Sequence, residues 1–174
     1  PFKESEAGGE GKRLLFVDVG YASTNVAVLR LDPPPAKKSE AEATAEAARR
    51  FEVLAERSDG ALGCADFDAA IFAHFAAQIE AKHGEPVVGG TRRGLRLLTA
   101  IERVRKLLST MPEASATAEN LIDGIDVPIK LSRDELAELL APLSARLRAL
   151  FDGLLATEGL QPLDGVEALG GAPL

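Results

Sequence analysis

Between Leu14 and Leu31 the chain reads LLFVDVGYASTNVAVLRL, and the middle of this stretch holds the residues best suited to chemistry on an anion. Asp18 closes an apolar run, and Gly20, Tyr21, Ala22 and Ser23 follow it directly. A tight turn of this kind can aim backbone N–H groups at a negative charge, and an acid at the end of a strand can hold a metal-bound water. Phosphate binding is one reading of the pattern. A plain hairpin turn with glycine at its bend, binding nothing, is the other.

A second set lies further along. Glu102, Arg105, Lys106 and Ser109 fall at i, i+3, i+4 and i+7, one face of a helix. One acid, two bases and a hydroxyl on one face make either a solvated, ion-paired surface or a polar clamp for a flat ligand. His74 and His83 have no acidic or cysteine partner at ligand spacing, so no direct metal site is predicted. Asp66 and Asp68, near the start of a helix, read as caps that suit the positive end of its dipole rather than as catalytic acids. Arg92, Arg93, Arg96, Arg103, Arg105 and Lys106 make the helix that carries Glu102 basic, but they spread around its circumference with no aromatic residues among them. A nucleic-acid footprint is disfavoured.

These residues need elements to position them. Leu14 to Val17 predicts a buried strand, Asp18 to Ser23 a turn, and Thr24 to Leu31 a return strand. Arg50 to Arg57 alternates as a third strand. Phe67, Ile71, Phe75 and Ile79 recur every four residues, predicting a helix from Ala65 or Asp66 to about Lys82. A second helix is predicted from Thr91 to Ser109, with Leu97, Ile101, Val104 and Leu108 as its buried stripe. Ala114 to Asn120 and Val127 to Leu131 predict an antiparallel pair about the turn at Asp123-Gly124. Ser132 to Glu135 has the capping-box pattern, and Pro142 should kink or restart the helix that follows. Leu143, Leu147, Leu150, Phe151 and Leu154 continue an apolar stripe, and a short strand runs into the glycine pair Gly170-Gly171. Strands separated by helices, with hairpins at the start and middle, predict an α/β chain with two layers of different size.

Composition sets outer bounds. The 174 residues are 46% hydrophobic and 27% charged, enough for one domain or two small ones with a real core. A net charge of -7 argues against a nucleic-acid role, which needs a basic surface. The single Cys64 rules out an internal disulfide and suits a reducing compartment. No run is apolar enough to predict a membrane span, and PFKESEAGGEGKR lacks the apolar core of a signal peptide. Residues 1–12 read as a flexible lead-in and Asp32 to Ala48, Pro-rich and then alternating Ala and Glu, as a solvated insertion. The termini Pro1 and GGAPL read as those of a piece of a longer protein.

Taken in order, FVDVG, LGCADFDAAIFAHF, LLTAIERVRKLLST, GIDVPIKLSRDELAELL and GG resemble the second lobe of the nucleotide-binding domain of the heat-shock seventy (70 kDa) chaperones. The resemblance covers Arg13 to Leu174 apart from the insertion, and five ordered motifs are far more specific than one. It implies an actin-like ATPase, ribonuclease-H-like lobe: a mixed sheet with flanking helices from residues 13–61 and 141–174, plus a smaller α+β layer from residues 62–140. It also implies site roles. Asp18 would orient toward magnesium waters and Gly20 would face the phosphates, with Tyr21, Ala22 and Ser23 in the same loop. Glu102, Arg105, Lys106 and Ser109 would grip the adenosine, and Gly170 and Gly171 would lie beside the nucleotide. The implied cofactors are ATP or ADP with Mg2+.

Departures from the family pattern sharpen the expectation. Tyr21 and Ala22 stand where the pattern has glycines, Ser23 where it has threonine and Asn25 where it has a second aspartate. Leu174 replaces the arginine that stacks on adenine. A loop reading VDVGYASTNV is closer to the hundred-and-ten-kilodalton branch. The resemblance therefore implies a nucleotide exchange factor and holdase, with an ordinary ATP-driven foldase and a pseudo-ATPase interaction module as alternatives. This chain alone would not turn over ATP, and a longer parent would be at most a weak ATPase. Implied partners are a heat-shock seventy chaperone, its co-chaperones and unfolded polypeptides, with no nucleic acid and no membrane. The implied location is the cytoplasm, or alternatively the lumen of the endoplasmic reticulum.

Overall fold

A computed structural model describes residues 11–32 and 51–170. Residues 1–10 of the expected 1–12 lead-in, Pro33 to Ala48 of the expected Asp32 to Ala48 insertion, Gly171 and the Ala172–Leu174 departures lie outside the described residues. The chain forms two compact units, one holding the described residues up to Ala61 and from Leu147 on, the other Leu62–Arg146.

The first unit is a mixed four-stranded sheet. Strands β1 (Lys12–Val19), β2 (Thr24–Leu31) and β3 (Phe51–Asp59) form an antiparallel meander, and β6 (Gly165–Leu169) joins β1 in parallel, giving the order β3-β2-β1-β6. The β1–β2 register pairs Leu15 with Val28 and Val17 with Val26, which places four apolar side chains on one face. Leu154 and Leu160 complete that core, with Leu150 and Phe151 packed at its edge. Leu14, on the opposite face, is buried as well, while Phe16 on that face is half-buried. Strand β1 starts at Lys12, before the apolar run, because the ladder with Leu31 needs only backbone groups. Strand β3 lies at the edge, largely exposed, with an irregularity opposite Val28/Leu29.

The second unit packs two helices on a hairpin. Helix α1 (Cys64–His83) contributes Ile71, Phe75 and Ile79; α2 (Arg92–Leu108) contributes Leu97, Ala100, Ile101, Val104 and Leu108. Strands β4 (Glu113–Ile122) and β5 (Ile125–Ser132) supply Leu121, Val127, Ile129 and Leu131 to the same core. Asp123 (φ 31°) and Gly124 (φ 85°) turn between them in the left-handed region that an Asp-Gly hairpin uses. Thr91 caps α2: its hydroxyl accepts from the Gly94 N–H at 3.1 Å and donates to the Val88 carbonyl at 2.6 Å. At the other end, Arg133 donates to the carbonyls of Leu108 and Ser109 at 2.7 and 3.0 Å, satisfying acceptors the last turn leaves open. Helix α3 (Arg133–Leu139) opens on the predicted capping box, where Ser132 and Glu135 bond each other's backbone N–H.

Pro142 restarts rather than kinks the chain. Leu140 is not helical, and α4 (Ala141–Leu155) begins with Pro142 in its first turn, where a missing N–H costs nothing. The division between the two compact units falls inside α4, between Arg146 and Leu147. Of the predicted α4 stripe only Leu154 is fully buried; Leu143 and Leu147 are half-buried. No helix among the described residues is long and apolar enough to cross a membrane.

Candidate functional site

In the first unit the β1–β2 register pairs Val19 with Thr24 and Asp18 with Asn25, which leaves Gly20 to Ser23 as the connecting turn. Gly20 donates its N–H to the Ser23 carbonyl at 2.9 Å, so this amide closes the turn and does not stand open to a phosphate. Tyr21 and Ala22 are exposed, with Tyr21 at 77%, and Ser23 is half-buried. Among the described residues the amides of Tyr21 and Ala22 make no hydrogen bond, so they are the turn's free donors. Gly170 follows β6, whose parallel register sets Leu169 beside Asp18. It has φ +135°, and a Cβ there would lie 2.4 Å from the Val19 carbonyl oxygen. The glycine is thus brought against the root of the turn, where no side chain fits.

In the second unit the four residues of the α2 face have unequal freedom. Lys106 Nζ donates to Glu102 Oε1 at 2.7 Å, an exposed i,i+4 pair. That hydrogen bond, and then the Lys106 charge, hold the Glu102 carboxyl below its usual range. Ser109 is the C-cap of α2, and its hydroxyl donates to the Lys106 carbonyl at 2.7 Å. Arg105 instead turns toward α1, with Nε 3.4 Å from Asp68 Oδ1.

The two acids predicted as caps separate here. Asp66 caps, its Oδ2 accepting from the Gly63 N–H at 2.8 Å. Asp68 does not: two residues on, it is rotated by about 200° around α1 and faces Arg105. Burial pushes the Asp68 carboxyl up, and the Arg105 charge pulls it down without cancelling that rise. Burial also raises the Cys64 thiol, again opposed by Arg105. Two of the arginines spread around α2 are tied down within the second unit. Arg93 donates to Glu85 and Asp123 at 2.7 Å each, and Arg96 donates to the Asn120 carbonyl. Of the histidines, His74 lies 2.8 Å from Gln78 and sets its ring edge-on to Phe75. No group of three His, Cys, Asp or Glu side chains placed to hold a metal occurs among the described residues.

A family model described as Hsp70 protein matches residues 3–173, almost the whole chain. The chain belongs to the Hsp70 family. This Hsp70-family chain is 32% identical to a heat shock protein homolog of Naumovozyma castellii, over 98% of its own length and 23% of that protein's. A heat shock protein homolog of Saccharomyces cerevisiae matches at the same identity and coverage. Heat shock cognate 70 kDa protein 3 of Dictyostelium discoideum is 33% identical over 81% of the chain and 20% of its own length. The chain therefore spans about a quarter or less of the curated relatives it matches. Its mixed sheet with flanking helices fits the actin-like ATPase fold of the Hsp70 family, and the two yeast homologs are relatives of the hundred-and-ten-kilodalton type.

Proposed function

We propose that this chain is an ATP-binding lobe of a divergent, hundred-and-ten-type Hsp70 chaperone that works in the cytoplasm as a nucleotide exchange factor and holdase for an ordinary heat-shock seventy partner. The observation that carries this reading is the turn after Asp18. Its Gly20 amide is committed to Ser23 and its next two positions are Tyr21 and Ala22. Such a turn offers fewer open donors and less room for close backbone approach than consecutive glycines would.

Each unit, taken by itself, holds residues whose chemistry suits one part of a magnesium nucleotide. In the first unit, Gly170 keeps the root of the turn clear of side chains, and the Asp18 carboxylate suits magnesium-bound water. In the second, the stems of Arg105 and Lys106 suit an adenine ring, and Glu102 with Ser109 suits the ribose or base edge. Magnesium supplies charge neutralisation on the phosphates when bound. Phosphoryl transfer is almost wholly positioning, so a divergent turn favours binding over fast turnover.

The test is made on the full-length protein. Nucleotide release from a heat-shock seventy chaperone should accelerate when it is added, while its own steady-state ATP hydrolysis stays slow. No acceleration would refute the exchange role. Strong turnover abolished by Asp18→Asn would favour an ordinary foldase instead. An interaction module without tight nucleotide binding is the other reading, favoured by the Glu102–Lys106 pair and the locally bonded Ser109 hydroxyl. Calorimetry with ADP separates it, because tight binding excludes it.

A further inference from the structure

We propose that Asp68 is a positioning residue of the adenosine site: from α1 it holds the Arg105 guanidinium of α2 by its Nε edge, leaving the terminal nitrogens to meet an adenine nucleotide. The assignment rests on the nucleotide reading above. The Arg105 and Asp68 side chains are 24% and 28% exposed, so the pair sits at the margin of the second unit's interior. At 3.4 Å, Nε to Oδ1 is an ion pair longer than a good hydrogen bond, and Oδ1 is buried with no hydrogen-bond partner. Among the described residues Arg105 makes no other ion pair or hydrogen bond. Its forked end is therefore free, while Glu102, Lys106 and Ser109 on the same face are bonded to one another or to the helix backbone.

The half-buried Asp68 carboxylate is held at a cost. Burial raises its protonation point despite the neighbouring guanidinium, so ionising it costs the native state more than it costs the unfolded chain. An asparagine would fill the same volume without the charge. What the charge does is fix the direction of one arginine, and an arginine held at Nε presents its other donors in a set orientation.

The experiment is a double-mutant cycle in the full-length protein, with ADP affinity and the thermal unfolding midpoint measured for wild type, Asp68→Asn, Arg105→Gln, the double variant and Asp68→Glu. Asp68→Asn should weaken ADP binding about fivefold to tenfold. The double variant should bind no more weakly than Arg105→Gln alone, Asp68→Glu should recover part of the loss, and the Asp68→Asn midpoint should not fall. If Asp68→Asn binds like wild type while Arg105→Gln is weakened, or if the two losses multiply, the assignment to Asp68 is overturned and the nucleotide site stands. A lowered midpoint with a loss that Asp68→Glu does not recover makes Asp68 a structural residue and overturns it too. If wild type fails to bind ADP, or binds it no better than Arg105→Gln does, the nucleotide reading falls and takes this assignment with it.

Discussion

Gly170 and Gly20 bracket the same turn, yet they answer to different constraints. Gly170 combines φ +135° with a would-be Cβ 2.4 Å from the Val19 carbonyl oxygen, while at Gly20 the nearest atom is the Ser23 carbonyl oxygen at 3.1 Å. Gly170→Ala should therefore destabilise the protein by about 2 kcal/mol and Gly20→Ala by less, an order that urea titration of the two variants would check. Equal losses would show that the close approach at Val19 relaxes without cost. The resemblance could flag both glycines in the sequence, but the reason for Gly170 needs the parallel register of β6. Asp68 was less legible still. Its partner Arg105 is 37 positions away on another helix, and nothing local separates it from Asp66.

At the scale of elements, periodicity was a good guide wherever burial is one-sided. All four residues of the predicted α2 stripe are buried, the Asp-Gly turn lies between β4 and β5, and the Ser132–Glu135 box closes as drawn. Misjudged bounds fall where backbone pairing outruns the apolar residues, as at Lys12 and Asp59. The arginines of α2 could not be sorted from spacing, since Arg93 and Arg96 are tied to loops and strands far along the chain. The N-terminus of α2 makes a sharper forecast. Thr91→Ala removes the acceptor for the Gly94 amide and the donor to Val88 and should cost about 1 kcal/mol, read as a lower urea midpoint at an unchanged slope. A changed slope would mean that more than the cap is lost.

For the molecule as a whole, acid stability sums opposing groups. Glu102 and Glu135 are held below their usual range, by Lys106 and by the Ser132 bonds respectively. The stability they contribute is present above the ordinary glutamate range and is lost as pH falls through and below it. Asp68 runs the other way: its raised carboxyl binds a proton more readily in the native than in the unfolded state, so its contribution grows as pH falls through its raised range and shrinks as pH rises. Asp68→Asn should therefore flatten the part of the stability profile just above the ordinary aspartate range, while Glu135→Gln should flatten the acid limb below the glutamate range. Chemical denaturation across pH would show both, and a profile unchanged by Asp68→Asn would mean that its carboxyl titrates normally.

The parallel pairing of β1 with β6 ties positions such as Arg13 and Asp164 together across 151 residues, whereas Leu62–Arg146 finds its partners within one uninterrupted stretch. During synthesis that inner stretch can be completed before β6 is made, while β1 waits for its parallel partner. A compact inner body also shortens the effective loop that the last strand must close. Vectorial synthesis thus works in this protein's favour, and a pause that delayed Gly165–Leu169 would prolong the interval in which β1 is exposed to pairing with the wrong chain.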